Sequence, residues 1–224
     1  MAELSLKNRL VLVFGGGDVA KRKIRGLLPC QPQLIIIAPT FDSWILDKAK
    51  EGVLNIEQHP FEAKMLSKEP RPTLVFSATS EATLNKQIAN QCEALGILCN
   101  SADDPTVSGF LVPAVVRQHP ITLAVATGGH SPALSRLLKE RLTHCLEPGW
   151  PALVNLFGMM RGEVKNTLTH AKQRHKFWRQ LALDVVHEKR YLSTDNQAWF
   201  DEKLSHSIKE WNELRTNKTA DSDK

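Results

Sequence analysis

The stretch Gly15-Gly16-Gly17-Asp18-Val19-Ala20 fits the spacing G-x-G-x-x-A and directly follows the apolar run Leu10-Val11-Leu12-Val13-Phe14. In that setting Gly15 permits a tight turn and Gly17 lets the backbone approach a pyrophosphate. Ala20 keeps the following helix close to the strand. The first N–H groups of such a helix are unpaired and carry partial positive charge, which suits phosphate. The residues therefore predict a dinucleotide site, the alternative being a glycine turn with no ligand. One part of the usual pattern is missing. The second strand ends in Ala38-Pro39-Thr40, with neither an acid for the ribose hydroxyls nor an Arg for a 2′-phosphate. The choice between NAD and NADP is left open by that rule.

Two further stretches have residue types suited to chemistry. Cys99-Asn100-Ser101-Ala102-Asp103-Asp104-Pro105 follows the fifth strand of the reading below. Ligands of open α/β sheets bind at the carboxyl ends of the strands, so an acid there is placed for proton transfer. The alternative is that Asp103 and Asp104 only cap or turn the chain before Pro105. Thr127-Gly128-Gly129-His130-Ser131-Pro132 joins a strand to a helix start. It is either a seat for a carboxylate or phosphate, or a plain connecting loop. The remaining histidines, His59, His119, His144, His170, His175, His187 and His206, have no metal-ligand grouping, and no metal site is expected. Cys30, Cys92, Cys99 and Cys145 lie far apart without a CxxC pair and read as reduced thiols.

The elements that must position these residues alternate. Apolar runs at 10–14, 34–38 and 73–78, with weaker ones at 54–58 and 97–99, read as strands. Helical stretches at 18–28 and 42–50 lie between them, as does one opened by Ser80 and closed at Gly96. This predicts a Rossmann-like parallel sheet of the α/β class. Runs at 110–116 and 121–126 are separated by Arg117-Gln118-His119-Pro120, which is hairpin spacing rather than a helical crossover. Ser131 as N-cap and Pro132 at the first helical position open a helix to about Leu146, and the pattern from 152 to 214 is helical. The expected organisation is a nucleotide-binding domain over 1–112, a hairpin and helix over 113–147, a helical domain over 148–215 and a polar tail over 216–224.

With 224 residues, 42% hydrophobic and 24% charged, the composition is that of a globular protein. No apolar run approaches the roughly 18 residues of a membrane-spanning helix. Met1-Ala2-Glu3-Leu4-Ser5-Leu6-Lys7 lacks a basic stretch leading into an apolar segment, so the expectation is a cytoplasmic protein without a secretory signal. The net charge of +5 is dispersed, with no compact Lys/Arg block among aromatics. It suits a small polyanionic substrate, and nucleic acid is not the expected partner.

As an ordered series these motifs resemble one family. The series is Gly15–Ala20 with Arg22-Lys23, then Ala78-Thr79, Asn85, Cys99-Asn100…Asp103, Phe110…Val112-Pro113 and Gly128-Gly129-His130-Ser131-Pro132. The chain is similar to precorrin-2 dehydrogenase, the dehydrogenase/ferrochelatase module of siroheme synthase, from about Leu6 to Leu142. More thinly, Arg174…Phe177-Trp178 resembles its C-terminal part. No second region resembles the methyltransferase that some siroheme synthases carry. The resemblance implies a homodimer with NAD as cofactor and a tetrapyrrole as substrate. Precorrin-2 is oxidised to sirohydrochlorin and, in some members, Fe²⁺ is inserted as a further substrate. Asp103 aligns with the catalytic aspartate. Asp18, Val19, Pro39 and Thr40 fall where the family contacts NAD, and Gly15, Gly17, Ala20, Ala78 and Thr79 complete the expected cofactor set. Asn100, Thr127, Gly128, Gly129, His130 and Ser131 form the expected substrate set, with Thr127 where some members carry a phosphorylatable serine. Two rival readings remain: a dehydrogenase without chelatase activity, and a non-catalytic module that senses NAD for a partner.

Overall fold

The computed structural model describes residues 3–67 and 69–222. The chain divides into two units, one of Met1–Val112 with Gly128–His130 and one of Pro113–Thr127 with Ser131–Lys224.

In the first unit, strands β1 (Leu10–Phe14), β2 (Gln33–Ile37), β3 (Asn55–Glu57), β4 (Leu74–Ser77) and β5 (Leu98–Ser101) form one sheet in the order β3-β2-β1-β4-β5. Every pairing is parallel. Helix α1 (Asp18–Leu27) follows β1, α2 (Ser43–Lys50) follows β2 and α3 (Ala82–Ala94) follows β4. The β1 sequence explains its central place. Val11 and Val13 are buried on the face covered by Ile24 and Ile45, while Leu12 and Phe14 are buried on the other with Val75, Ile88 and Cys92. Successive strand side chains point to opposite faces, so an unbroken apolar run is stable only when both faces are covered.

The register aligns Ile37, Phe14, Ser77 and Ser101 in one row across the sheet. The residues that follow them, Ala38, Gly15, Ala78 and Ala102, therefore form its carboxyl rim. The strand order reverses direction between β1 and β4, so the crevice expected of such a sheet opens above these two strands.

In the second unit β6 (Ala114–Gln118) and β7 (Ile121–Val125) pair antiparallel, with α4 (Pro132–Thr143) beyond them. Gln118 pairs with Ile121, so the turn is His119-Pro120 alone and not the four residues expected. The expected strand at 110–116 begins only at Ala114. Phe110 instead packs its ring edge-on against Phe76, 5.5 Å between centroids, and Pro113 has no N–H for a ladder. α5 (Trp150–Thr167), α6 (Ala171–His187) and α7 (Asn196–Ser222) share a core of their own. Leu153, Leu156, Met160 and Val164 line one side of α5, and Phe177, Leu181 and Val185 one side of α6, at helical spacing. Trp199, Phe200 and Leu204 of α7 complete the core. Phe177 and Trp178 both meet the Phe200 ring, at 5.7 and 5.9 Å. The segment expected as a polar tail is helical as far as Ser222, and residues 223 and 224 lie outside the described residues.

Candidate dinucleotide and acid site

The glycine turn is held by backbone on both sides. Gly15 N donates to Ile37 O at 2.9 Å, and Asp42 N donates to Gly16 O at 2.7 Å. Gly15 has φ +128, which L side chains rarely adopt, and a Cβ there would overlap the Ala78 carbonyl. A Cβ on Gly16 would overlap the Thr40 carbonyl. Gly17 differs from both, because a Cβ built on it meets nothing within 4 Å. No side chain caps α1, whose N-cap is Gly17 itself. The turn thus presents open space and an uncapped helix N-terminus at one point, which fits a pyrophosphate.

Ser77 and Ser101 end β4 and β5, and the acid stands just beyond them. Asp103 Oδ1 accepts from Ser101 Oγ at 2.7 Å, and Oδ2 accepts from Asn85 Nδ2 at 3.2 Å. Partial burial opposes ionisation, but the Ser101 and Asn85 hydrogen bonds outweigh it and hold the carboxyl below the usual aspartate value. Asn85, 1% exposed, also accepts from Thr79 N at 2.9 Å and Thr79 Oγ1 at 2.8 Å, and donates to Thr79 O at 3.1 Å. One buried amide on α3 therefore fixes both the turn after β4 and the acid after β5. Asp104 has the other role considered for this acid pair. Its Oδ1 accepts from Thr106 N at 2.8 Å and Thr106 Oγ1 at 2.6 Å, capping the single helical turn Pro105–Val107.

This arrangement of a parallel sheet, an open glycine turn and an acid at the rim has counterparts. Residues 3–114 match a family model described as "Putative NAD(P)-binding". The chain belongs to this NAD(P)-binding family. It is also similar to the siroheme synthase of Shigella boydii serotype 18, 36% identical over 180 residues, 79% of this chain and 38% of that protein. Siroheme synthase 2 of Cronobacter sakazakii is 34% identical over 197 residues, 86% of this chain and 42% of the relative. The chain thus spans less than half the length of these relatives. Among solved structures it is similar to "SirC, precorrin-2 dehydrogenase", with a TM-score of 0.70 over 92% of this chain and 98% of that one. That likeness, at 22% identity, bears on the fold.

The other residues singled out in the sequence of this NAD(P)-binding chain are distributed as follows. Asp18 is exposed at the start of α1, Val19 is exposed beside it, and Ala20 is buried against the sheet. Pro39 and Thr40 are exposed at the end of β2, Ala78 is buried, and Thr79 is half-buried. Asn100, 3% exposed, faces inward rather than toward the rim: it accepts from Lys23 Nζ at 2.7 Å and donates to Phe110 O at 3.0 Å. Burial, aided by Arg22, lowers the Lys23 pKa from the usual lysine value. Thr127 Oγ1 bonds Ser131 O at 3.1 Å and Ser135 Oγ at 3.0 Å, and Ser131 Oγ caps α4 by accepting from Leu134 N at 3.2 Å. Gly128 and Gly129 have φ +60 and +82, and His130 is exposed.

Sequence reading assigned no role to Asn85, Ser101 or Asp42. It placed the cap of α3 on Ser80, whereas the N-cap is Glu81 without a side-chain bond, and Thr79 and Asn85 organise that turn. An Asn in the first turn of a helix that follows a strand was the available signal, since its amide can reach back to the strand end. Among the described residues, no group of three His, Cys, Asp or Glu side chains is placed to hold a metal ion, and no helix is long and apolar enough to cross a membrane.

Proposed function

We propose that this chain oxidises precorrin-2 to sirohydrochlorin with NAD⁺ as the electron acceptor. The observation that carries the reading is the Thr79–Asn85–Asp103 link, which ties an ionised acid to a wall of the dinucleotide crevice. The relatives named siroheme synthase support the substrate class. In the overall step, two electrons and a proton leave the tetrapyrrole as hydride, and a second proton is released. NAD⁺, when bound, supplies the hydride acceptor. Gly15, Gly16 and Gly17 would seat its pyrophosphate, with the N-terminus of α1 facing the phosphates. Asp103 receives the released proton and passes it to water. An aspartate is ionised at neutral pH, as a base in this step requires, and Ser101 and Asn85 hold its two oxygens in place.

The same carboxylate is suited to take the pyrrole protons displaced when Fe²⁺, as a substrate, enters sirohydrochlorin, and iron insertion is the second half of the proposal. The assembly proposed is a homodimer. α4 buries none of its residues within this chain and exposes Leu134, Leu137 and Leu138, and of the β6–β7 hairpin packed beside it Val116 alone is buried. A second copy covering them accounts for both. The basic balance of the chain then serves a substrate bearing several carboxylates.

The test is turnover of precorrin-2 with NAD⁺, read as NADH absorbance, with and without Fe²⁺. Asp103→Ala should retain NAD⁺ binding and lose turnover by on the order of a hundredfold or more, the scale of a lost general base. Asp104→Ala, which removes a cap, should lose far less. The reverse ranking would sink the assignment of Asp103. Sirohydrochlorin accumulating unchanged in the presence of Fe²⁺ would restrict the chain to the dehydrogenase step.

A further inference from the structure

The loop 102–109 carries Asp103 and is closed at its base by the chain on either side of it. Ser101 N donates to Ser108 Oγ at 2.9 Å, Gly109 N to Cys99 O at 2.8 Å, and Asn100 Nδ2 to Phe110 O at 3.0 Å. The Asn100 amide is buried, and its oxygen accepts from Lys23 Nζ of α1 at 2.7 Å. The same ammonium lies 5.8 Å from the centre of the Phe76 ring, against which Phe110 packs edge-on. Among the described residues no carboxylate pairs with Lys23, and the neighbouring charge that acts on it is the like charge of Arg22. A partly buried ammonium without a counter-ion costs stability, so this lysine is not explained as a prop for the fold.

We propose that Lys23 is a positioning residue: by fixing the Asn100 amide it keeps the Asp103 loop closed. An ammonium can only donate, and the Phe110 carbonyl can only accept. Asn100 satisfies both in one orientation of its amide, oxygen to Lys23 and nitrogen to Phe110. Without the ammonium the amide is free to turn over, which sets its oxygen against the Phe110 oxygen. The base of the loop then opens next to Ser101, whose hydroxyl holds Asp103 Oδ1. Asn85 reaches the same carboxylate from α3, so helices on opposite faces of the sheet brace the acid. α1 also presents its uncapped N-terminus at the glycine turn, so one helix serves both the cofactor seat and the acid. The inference rests on Asp103 as the base of the proposed reaction.

The experiment compares the wild type, Lys23→Met and Asn100→Asp by precorrin-2 turnover, NAD⁺ calorimetry, denaturant midpoint and hydrogen exchange at the Gly109 N–H. Lys23→Met removes a desolvated charge and leaves the Asn100 oxygen unpaired. These effects have opposite sign, so the midpoint should change little. NAD⁺ affinity should hold, because the glycine turn is untouched. The kcat should fall by on the order of tenfold or more, the scale of a misplaced catalytic group. Gly109 exchange should quicken severalfold. Asn100→Asp keeps a partner for the ammonium but loses the donor to Phe110, so it should show the same fall in kcat and the same faster exchange. It also decides the matter should Lys23→Met not fold. Unchanged Gly109 exchange in the folded variants, or faster exchange with full kcat, overturns the inference. A fall in kcat matched by a fall in midpoint makes Lys23 structural and overturns it as well. A wild type that does not turn over precorrin-2 overturns the proposed function instead, and Gly109 exchange then decides whether Lys23 holds the loop.

Discussion

Two glycine-rich turns lead into helices in this chain, and they are built differently. At 15 and 16 the glycines are required by neighbouring backbone, with the Ala78 and Thr40 carbonyls occupying the space of their missing side chains, while Gly17 faces open space. The helix that follows has no side-chain cap. At 128–129 the glycines are required by their own dihedrals, φ +60 and +82, and the nearest atoms to their missing side chains belong to other side chains. The helix after that turn is already capped by Ser131, and Thr127 and Ser135 are bonded around it. A glycine turn before a helix is thus an open anion seat only where the first N–H groups have not been taken by the chain's own side chains. By that measure the first turn is open and the second is partly filled.

The largest effect that would test this comparison is on stability. Gly15→Ala forces both a strained φ and a clash with the Ala78 carbonyl, and should lower stability by about 3 kcal/mol or more. Gly128→Ala adds left-handed strain and a 3.2 Å approach to the exposed His130 ring, which can move aside, and should cost about 1 kcal/mol. Denaturant midpoints that rank the two equally would remove the distinction between backbone-locked and dihedral-locked turns. Next in size is Gly17→Asp. Its side chain enters open space, so folding should be retained, while a carboxylate set against the pyrophosphate should weaken NAD⁺ binding by on the order of a hundredfold. Normal affinity measured by calorimetry in the folded variant would mean the open space is not the phosphate seat. The smallest effect is Ser131→Ala, which should cost about 1 kcal/mol of stability through the lost cap and leave NAD⁺ affinity unchanged. A fall in NAD⁺ affinity there would contradict the assignment of the nucleotide to the first turn alone.

Much of the nucleotide-binding unit was legible in the chain itself. The unbroken apolar runs of β1, β2 and β4 imply strands covered on both faces, and strands separated by helices imply parallel pairing. The strand-turn-helix form of Gly15–Ala20 and the Ser131-Pro132 helix start are local chemistry and match the structure, as does Gly96, whose φ of +69 closes α3. Strand ends were less legible. Pairing extends only as far as a partner strand reaches, which is why Asn100 and Ser101 belong to β5 and Phe110 to no strand.

What the sequence alone determined, then, is what depends on near neighbours: periodicity, turn residues, caps and the order of elements. What only the tertiary structure decided is which distant groups meet. Asn85 joins Thr79 to Asp103, Asp104 rather than Asp103 is the capping acid, Asn100 turns inward to Lys23, and Asp42 returns to the glycine turn. Each depends on sheet register and loop path, and both are fixed by burying the two faces of the sheet together. The side chains at the rim take their places as a consequence of that burial, and no local spacing encodes it.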